Sequence, residues 1–126
     1  MLDAALAADV DPVLGHADGN LANLLWDGAR VRLVDFEDSG RSDRAFELAD
    51  LVEHVSGMVT DELVTDNLVV AFDLDSATGR RVLTYRRFMA CYWLRMLLPD
   101  GPAHARNPAG SLHRRAARVL ERLASA

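Results

Sequence analysis

The chain has 126 residues, half of them apolar and 26% charged, enough for one domain with a hydrophobic core and too few for two ordinary ones. Its formal net charge of -5 and pI near 5.2 offer no basic face for a phosphate backbone, so no nucleic-acid partner is expected. A lone cysteine, Cys91, leaves no intramolecular disulfide and no Cys/His zinc spacing; with no leader pattern over residues 1–10 and no apolar run of roughly 20 residues, a cytoplasmic protein without a membrane anchor is expected.

Residues 2–8 are good helix formers and read as the tail of a helix that Pro12 ends. Two short apolar runs follow, 23–26 and 31–34, separated by Asp27-Gly28, a strong hairpin signal. The expected element is a small antiparallel ribbon ending at Asp35, then a polar turn over 37–42. From there the period becomes helical: Ala45, Leu48, Ala49, Val52 and Val55 share one face, with Asp43 as N-cap and Gly57 as the stop. Further helices are expected over about 60–72, 76–98 (ended by Pro99 and the Pro-Asp-Gly-Pro turn) and 109–124. The last should turn Leu112, Ala116, Val119, Leu120 and Leu123 to one side and leave Arg114, Arg115, Arg118 and Arg122 as a solvated basic face. The fold class expected is α+β and mostly helical, one domain over 1–126.

The stretch that carries chemistry is His16-Ala17-Asp18-Gly19-Asn20-Leu21-Ala22-Asn23, followed by Val34-Asp35-Phe36-Glu37. A hairpin joins its own ends, so Asn23 and Asp35 should sit side by side with Asp18 facing them from the preceding loop. Phosphoryl transfer uses such a set. Magnesium takes hard oxygen ligands, one or two from protein and the rest from phosphates and water, which suits Asn23 and Asp35. A separate carboxylate must orient the substrate hydroxyl and accept its proton, which suits Asp18. The order H-x-D-x-x-x-x-N and then D-F is that of a kinase catalytic loop and metal-binding turn.

The same stretch resembles the aminoglycoside phosphotransferase/choline kinase family, whose pattern runs H-G-D-x-H-x-x-N, a short hairpin, then [IV]-D-[FW]-[ED]. Ala17 stands for the glycine and Asn20 for the second histidine. Residues 40–49 are similar to the family's G-x-x-D-P-x-x-D-L-A, with Arg44 for its proline and Glu47 for its second aspartate. The match covers about 16–51.

The resemblance implies a protein-kinase-like C-terminal lobe: a catalytic loop and metal-binding hairpin over 12–43, then a helical subdomain over 44–126. It implies an ATP-dependent phosphotransferase, using ATP or GTP and Mg²⁺, that acts on a hydroxyl of a small-molecule acceptor. Asp18 would be the base, Asn23 and Asp35 the metal ligands, and His16 a brace for the loop. Glu37 and Asp38 would lie toward the acceptor. Lysine is absent from the chain, no Gly-rich phosphate loop occurs, and few residues precede His16. The N-terminal nucleotide-binding lobe is therefore expected to be absent, as in a fragment or truncated member that borrows the missing lobe or self-associates.

Two other readings compete: a non-catalytic binding or interaction module derived from such a lobe, and a metal-dependent hydrolase using His16, Asp18 and Asp35. Outside the motif, His54, His104 and His113 read as surface or helix-face residues, Cys91 as a small core residue, and Tyr85, Tyr92 and Trp93 as packing residues rather than a cation box.

Overall fold

The computed structural model describes residues 9–59 and 65–124. The helix expected over 2–8 and the first turn of the one expected over 60–72 fall outside the described residues. Strand β1 (Val13–Gly15) leads through a loop to a 3-10 turn (Leu21–Asn23) and the hairpin of β2 (Leu24–Trp26) and β3 (Val31–Leu33). Strand β4 (Gly40–Ser42) precedes helix α1 (Arg44–Glu53), a 3-10 segment (Val55–Val59), α2 (Thr65–Ala71), α3 (Ser76–Leu97), a short 3-10 turn (His104–Arg106) and α4 (Ser111–Ala124).

The hairpin forms as its turn chemistry requires. Leu24 pairs with Leu33 and Trp26 with Val31, antiparallel. Asp27 Oδ1 accepts the Ala29 and Arg30 amides at 3.0 and 2.9 Å, and Gly28 takes a φ of +98° that a side chain would resist. A second pairing was not foreseen: the polar turn expected over 37–42 contains β4, antiparallel to β1 with Val13 opposite Ser42 and Gly15 opposite Gly40. This pairing ties the segment before the loop to the segment entering α1.

Helix α1 is the centre of the fold. Asp43 caps it, its side chain accepting from the Ala45 amide, as the sequence predicts. Ala45, Leu48, Ala49 and Val52 are buried, and with Leu68, Val82 and Tyr85 they form the core between α1, α2 and α3. Two alanines on one face let α3 approach closely, and full burial of a Val or Leu is worth about 1.5–3 kcal/mol. The helix ends at Glu53 where His54 leaves helical geometry (φ -56°, ψ 144°), earlier than the Gly57 stop expected. Asp75 caps α3 through the Thr78 amide, and α3 ends just ahead of Pro99.

Helix α4 corrects the sequence reading. Its buried positions are Ser111, Arg115 and Val119, whereas Leu120 and Leu123 are exposed. The reason is electrostatic. Glu53, fully buried at the end of α1, accepts from Arg86 Nε at 2.9 Å, Arg115 Nη1 at 2.9 Å and Arg122 Nε at 3.2 Å. Arg115 Nη2 also donates to the Glu53 carbonyl. A buried charge needs partners, so the helix rotates its arginines inward rather than its leucines. Burial lowers the Arg115 pKa to about 10, which still leaves it charged at neutral pH. Cys91, expected in the core, is exposed. Among the described residues no helix is long and apolar enough to cross a membrane.

Candidate functional site

The loop between β1 and the first 3-10 turn is held from two sides. Helix α1 presents two carboxylates three residues apart, hence on one face. Glu47 Oε2 accepts the His16 and Ala17 amides at 3.0 and 3.1 Å, and Glu47 Oε1 accepts from Ser42 Oγ at 2.5 Å. Asp50 Oδ2 accepts the Gly19 amide at 2.8 Å. The loop lies so near α1 that a Cβ on Gly19 would stand 2.6 Å from the Asp50 carbonyl oxygen, so only glycine fits there. Ala17 takes the left-handed conformation at φ 58°. Glutamate at position 47 is thus long enough to reach the loop backbone.

The other side is the hairpin. His16 places Nε2 2.8 Å from the Val34 carbonyl and Nδ1 3.0 Å from the Asp18 carbonyl. Carbonyls only accept, so both contacts favour the doubly protonated ring, and the bond to Val34 raises the His16 pKa. The ring also meets Phe36 edge-on at 5.1 Å. His16 therefore grips the residues on either side of Asp35, which is itself left-handed (φ 65°).

Of the three oxygen-bearing residues predicted to converge, two touch. Asn23 Nδ2 donates to Asp18 Oδ2 at 2.8 Å, and the Asn20 amide donates to Asp18 Oδ1 at 3.0 Å. Asn20 Oδ1 in turn accepts from the Ala22 amide, opening the 3-10 turn that carries Asn23. Asp35 is exposed and reaches the pair through its neighbour: the Val34 amide donates to the Asn23 carbonyl at 3.1 Å. Among the described residues, no three His, Cys, Asp or Glu side chains gather as a metal cluster. An ion here would draw on Asn23, on Asp35 and on a bound molecule. Glu37 and Asp38 are exposed, and only Asp38 borders the cavity described next.

A cavity of about 350 Å³ opens on the free side of Asp18. Asp18, Asp38 and Asp50 supply its acidic wall; Phe46, Phe88, Tyr92 and Trp93 supply the apolar one. A smaller space of about 180 Å³ lies beneath the loop, between Asn23, Glu47 and Leu51. Tyr85 packs in the core as expected, whereas Tyr92 and Trp93 line the larger cavity.

Two buried residues of this site escaped the sequence reading. Asp50 is only 5% exposed, and burial pushes its pKa up to about 6 against the pull of the Gly19 amide. His54, read as a surface residue, is 8% exposed; its Nε2 stands 3.7 Å from Asp18 Oδ1 and its ring meets Trp93 edge-on at 4.5 Å. Burial lowers the His54 pKa. The available signal was that Glu47, Asp50 and Glu53 recur every three residues, with His54 four beyond Asp50, on a segment otherwise patterned for burial.

Comparison with curated proteins and with solved structures found no match. Comparison with protein families did: the model described as the phosphotransferase enzyme family, APH, matches residues 1–82, which include the whole loop, the hairpin and α1. With the motif held in this arrangement and the family matched over well more than half its length, the chain belongs to the phosphotransferase enzyme family.

Proposed function

We propose that the chain is a small-molecule kinase lobe that transfers the γ-phosphate of ATP or GTP to a hydroxyl, with Asp18 as base. The observation that carries this reading is the joint anchoring of Asp18: Asn23 holds its carboxylate while His16 ties its backbone to the strand leading to Asp35. As the acceptor oxygen bonds to the γ-phosphorus, the bond from that phosphorus to the β–γ bridging oxygen breaks. The nucleoside diphosphate leaves with those electrons, and the acceptor proton passes to Asp18. Two hydrogen bonds to Asp18 fix the direction in which its carboxylate can receive that proton.

Asn23 and Asp35 fit magnesium by donor chemistry. An amide that donates through Nδ2 to Asp18 keeps its Oδ1 for a cation, and Asp35 adds an exposed carboxylate. When bound, the ion would neutralise charge on the phosphate oxygens. His16 acts as a brace, and the acidic and aromatic cavity beside Asp18 would receive the acceptor, with Asp38 at its edge. The chain is read as one domain. Loop and hairpin (12–43) and helical part (44–126) are joined by Glu47 and Asp50, in keeping with a protein-kinase-like C-terminal lobe in the cytoplasm.

The test is phosphotransfer and Mg²⁺-nucleotide binding in two variants. Asp35→Ala should lose binding; Asp18→Ala should bind and not transfer. Transfer that survives both substitutions rules the assignment out.

One observation favours a second reading, an interaction surface. Leu25, Trp26, Val31, Leu33 and Phe36 of the hairpin region are each about half or more exposed, Trp26 reaching 65%. Exposed apolar side chains such as Trp26 and Val31, paired across the hairpin, favour association with another lobe or another copy. Light scattering that finds monomers at all concentrations, in wild type and in Trp26→Ser alike, would argue against self-association.

A further inference from the structure

The imidazole of His54 is oriented by two donors from one residue. The Ser56 amide donates to His54 Nδ1 at 3.1 Å, and Ser56 Oγ lies 2.7 Å from the same nitrogen. A nitrogen that accepts from an amide N–H carries no proton, so the neutral ring holds its proton on Nε2. Ser56 Oγ is itself placed by the Leu21 amide, which donates to it at 2.9 Å. The relay begins on the 3-10 turn that carries Asn23, so the ring is set by the same backbone that sets Asp18 and Asn23.

The remaining donor, Nε2–H, faces the cavity 3.7 Å from Asp18 Oδ1. That separation is too long for a direct hydrogen bond. It leaves room for a bridging oxygen set to one side: an oxygen about 2.8 Å from each would subtend about 80° between them, tighter than the tetrahedral angle of a hydroxyl but within reach of both groups.

We propose that His54 is an acceptor-binding residue: a hydroxyl seated between Nε2–H of His54 and Oδ1 of Asp18 accepts from the first and donates to the second. This assignment rests on the phosphotransferase reading above. The ring stays neutral through burial, so it directs the hydroxyl without cancelling the Asp18 charge by an ion pair. His54 would hold one lone pair of the acceptor oxygen while Asp18 takes the proton, leaving the other lone pair to meet the phosphorus. It selects an alcohol over the same molecule lacking the hydroxyl, because only the alcohol can both accept from Nε2–H and donate to Asp18.

The experiment uses the whole 126-residue chain, labelled with ¹⁵N in histidine, and two probes matched to the acidic, aromatic cavity: ethanolamine and its deoxy analogue ethylamine. Ring ¹⁵N spectra at neutral pH should find the His54 proton on Nε2. Ethanolamine should move that resonance saturably, and ethylamine should bind about two- to tenfold more weakly and leave it in place. His54→Phe should erase the preference, while His54→Gln, which retains an N–H, should restore part of it. A ring protonated on Nδ1, or one that answers both amines alike or neither, overturns the assignment. The wild-type spectra decide this even where a variant fails to fold. Nucleotide binding is followed in parallel. Mg²⁺-ATP binding with an indifferent His54 rejects this role and keeps the phosphotransferase reading. A hydroxyl-specific His54 response without any nucleotide binding overturns that reading, and the acceptor assignment with it.

Discussion

Asp50→Asn should stabilise the protein at neutral pH and do nothing at acid pH. Asp50 sits 5% exposed with Asp18 and Glu47 nearby, and its pKa rises from an ordinary 3.8 to about 6. The sign follows from proton binding. Between those two values the folded state holds a proton that the unfolded state has released, so stability falls as pH rises through the window. Below 3.8 the favourable protonated contribution is fully present; above about 6 it is gone. A displacement of roughly two pH units corresponds to about 3 kcal/mol. Asparagine has the same shape, can still accept the Gly19 amide, and carries no charge to desolvate. Allowing for a weaker bond to that amide, the gain at pH 7.5 should be about 1–3 kcal/mol, a rise in Tm of roughly 4–12 °C. Wild type and variant should be unfolded by urea or heat without magnesium at pH 7.5, 6.5, 5.5 and 4, since other titrations cancel in the difference. A variant that is less stable at pH 7.5, or a difference that does not shrink toward pH 4, would refute the reasoning.

Other substitutions test the remaining framework. Glu53→Ala strands Arg86 and Arg115, both nearly or fully buried, and Arg122; it should cost about 3–5 kcal/mol, and a loss under about 1 kcal/mol by urea titration would contradict the buried-charge account. Ala17→Gly relieves a left-handed alanine (φ 58°) and should raise stability by about 0.5–1 kcal/mol after the entropy of the unfolded glycine is counted; a fall in Tm would mean that no strain is stored there. Gly19→Ala drives a methyl group into the α1 backbone and should destabilise by about 2 kcal/mol or more, with amide exchange rising along residues 16–20; an unchanged Tm would disprove the close approach.

Much of this was legible in the sequence because its physics is local. Asp27-Gly28 announced the hairpin, Asp43 the start of α1, and 3.6-residue periodicity the core face Ala45, Leu48, Ala49 and Val52. The spacing of His16, Asp18, Asn23 and Asp35 brought the family into view, and the family match covers all four. What stayed hidden depends on partners far along the chain. Strand β4 is Gly-Arg-Ser, with no alternation to reveal it, and pairs only because β1 lies beside it. Arg115 resembles any exposed helical arginine until Glu53, 62 residues earlier, is seen to meet it. Asp50 and His54 look solvated on the same argument, since a charge on a helix is by default read as facing water. The apolar residues Leu120 and Leu123 were assigned to the core by the converse rule and lost it to the arginines.

The most direct test of the central claim is thermal stability of the chain with and without Mg²⁺-ATP, in wild type and Asp35→Ala. A site built on Asp18, Asn23 and Asp35 predicts a saturable, Mg²⁺-dependent rise, about 2.7 kcal/mol of stabilisation at a ligand concentration a hundredfold above Kd, that Asp35→Ala abolishes. No rise in wild type, or an equal rise in the variant, would contradict it.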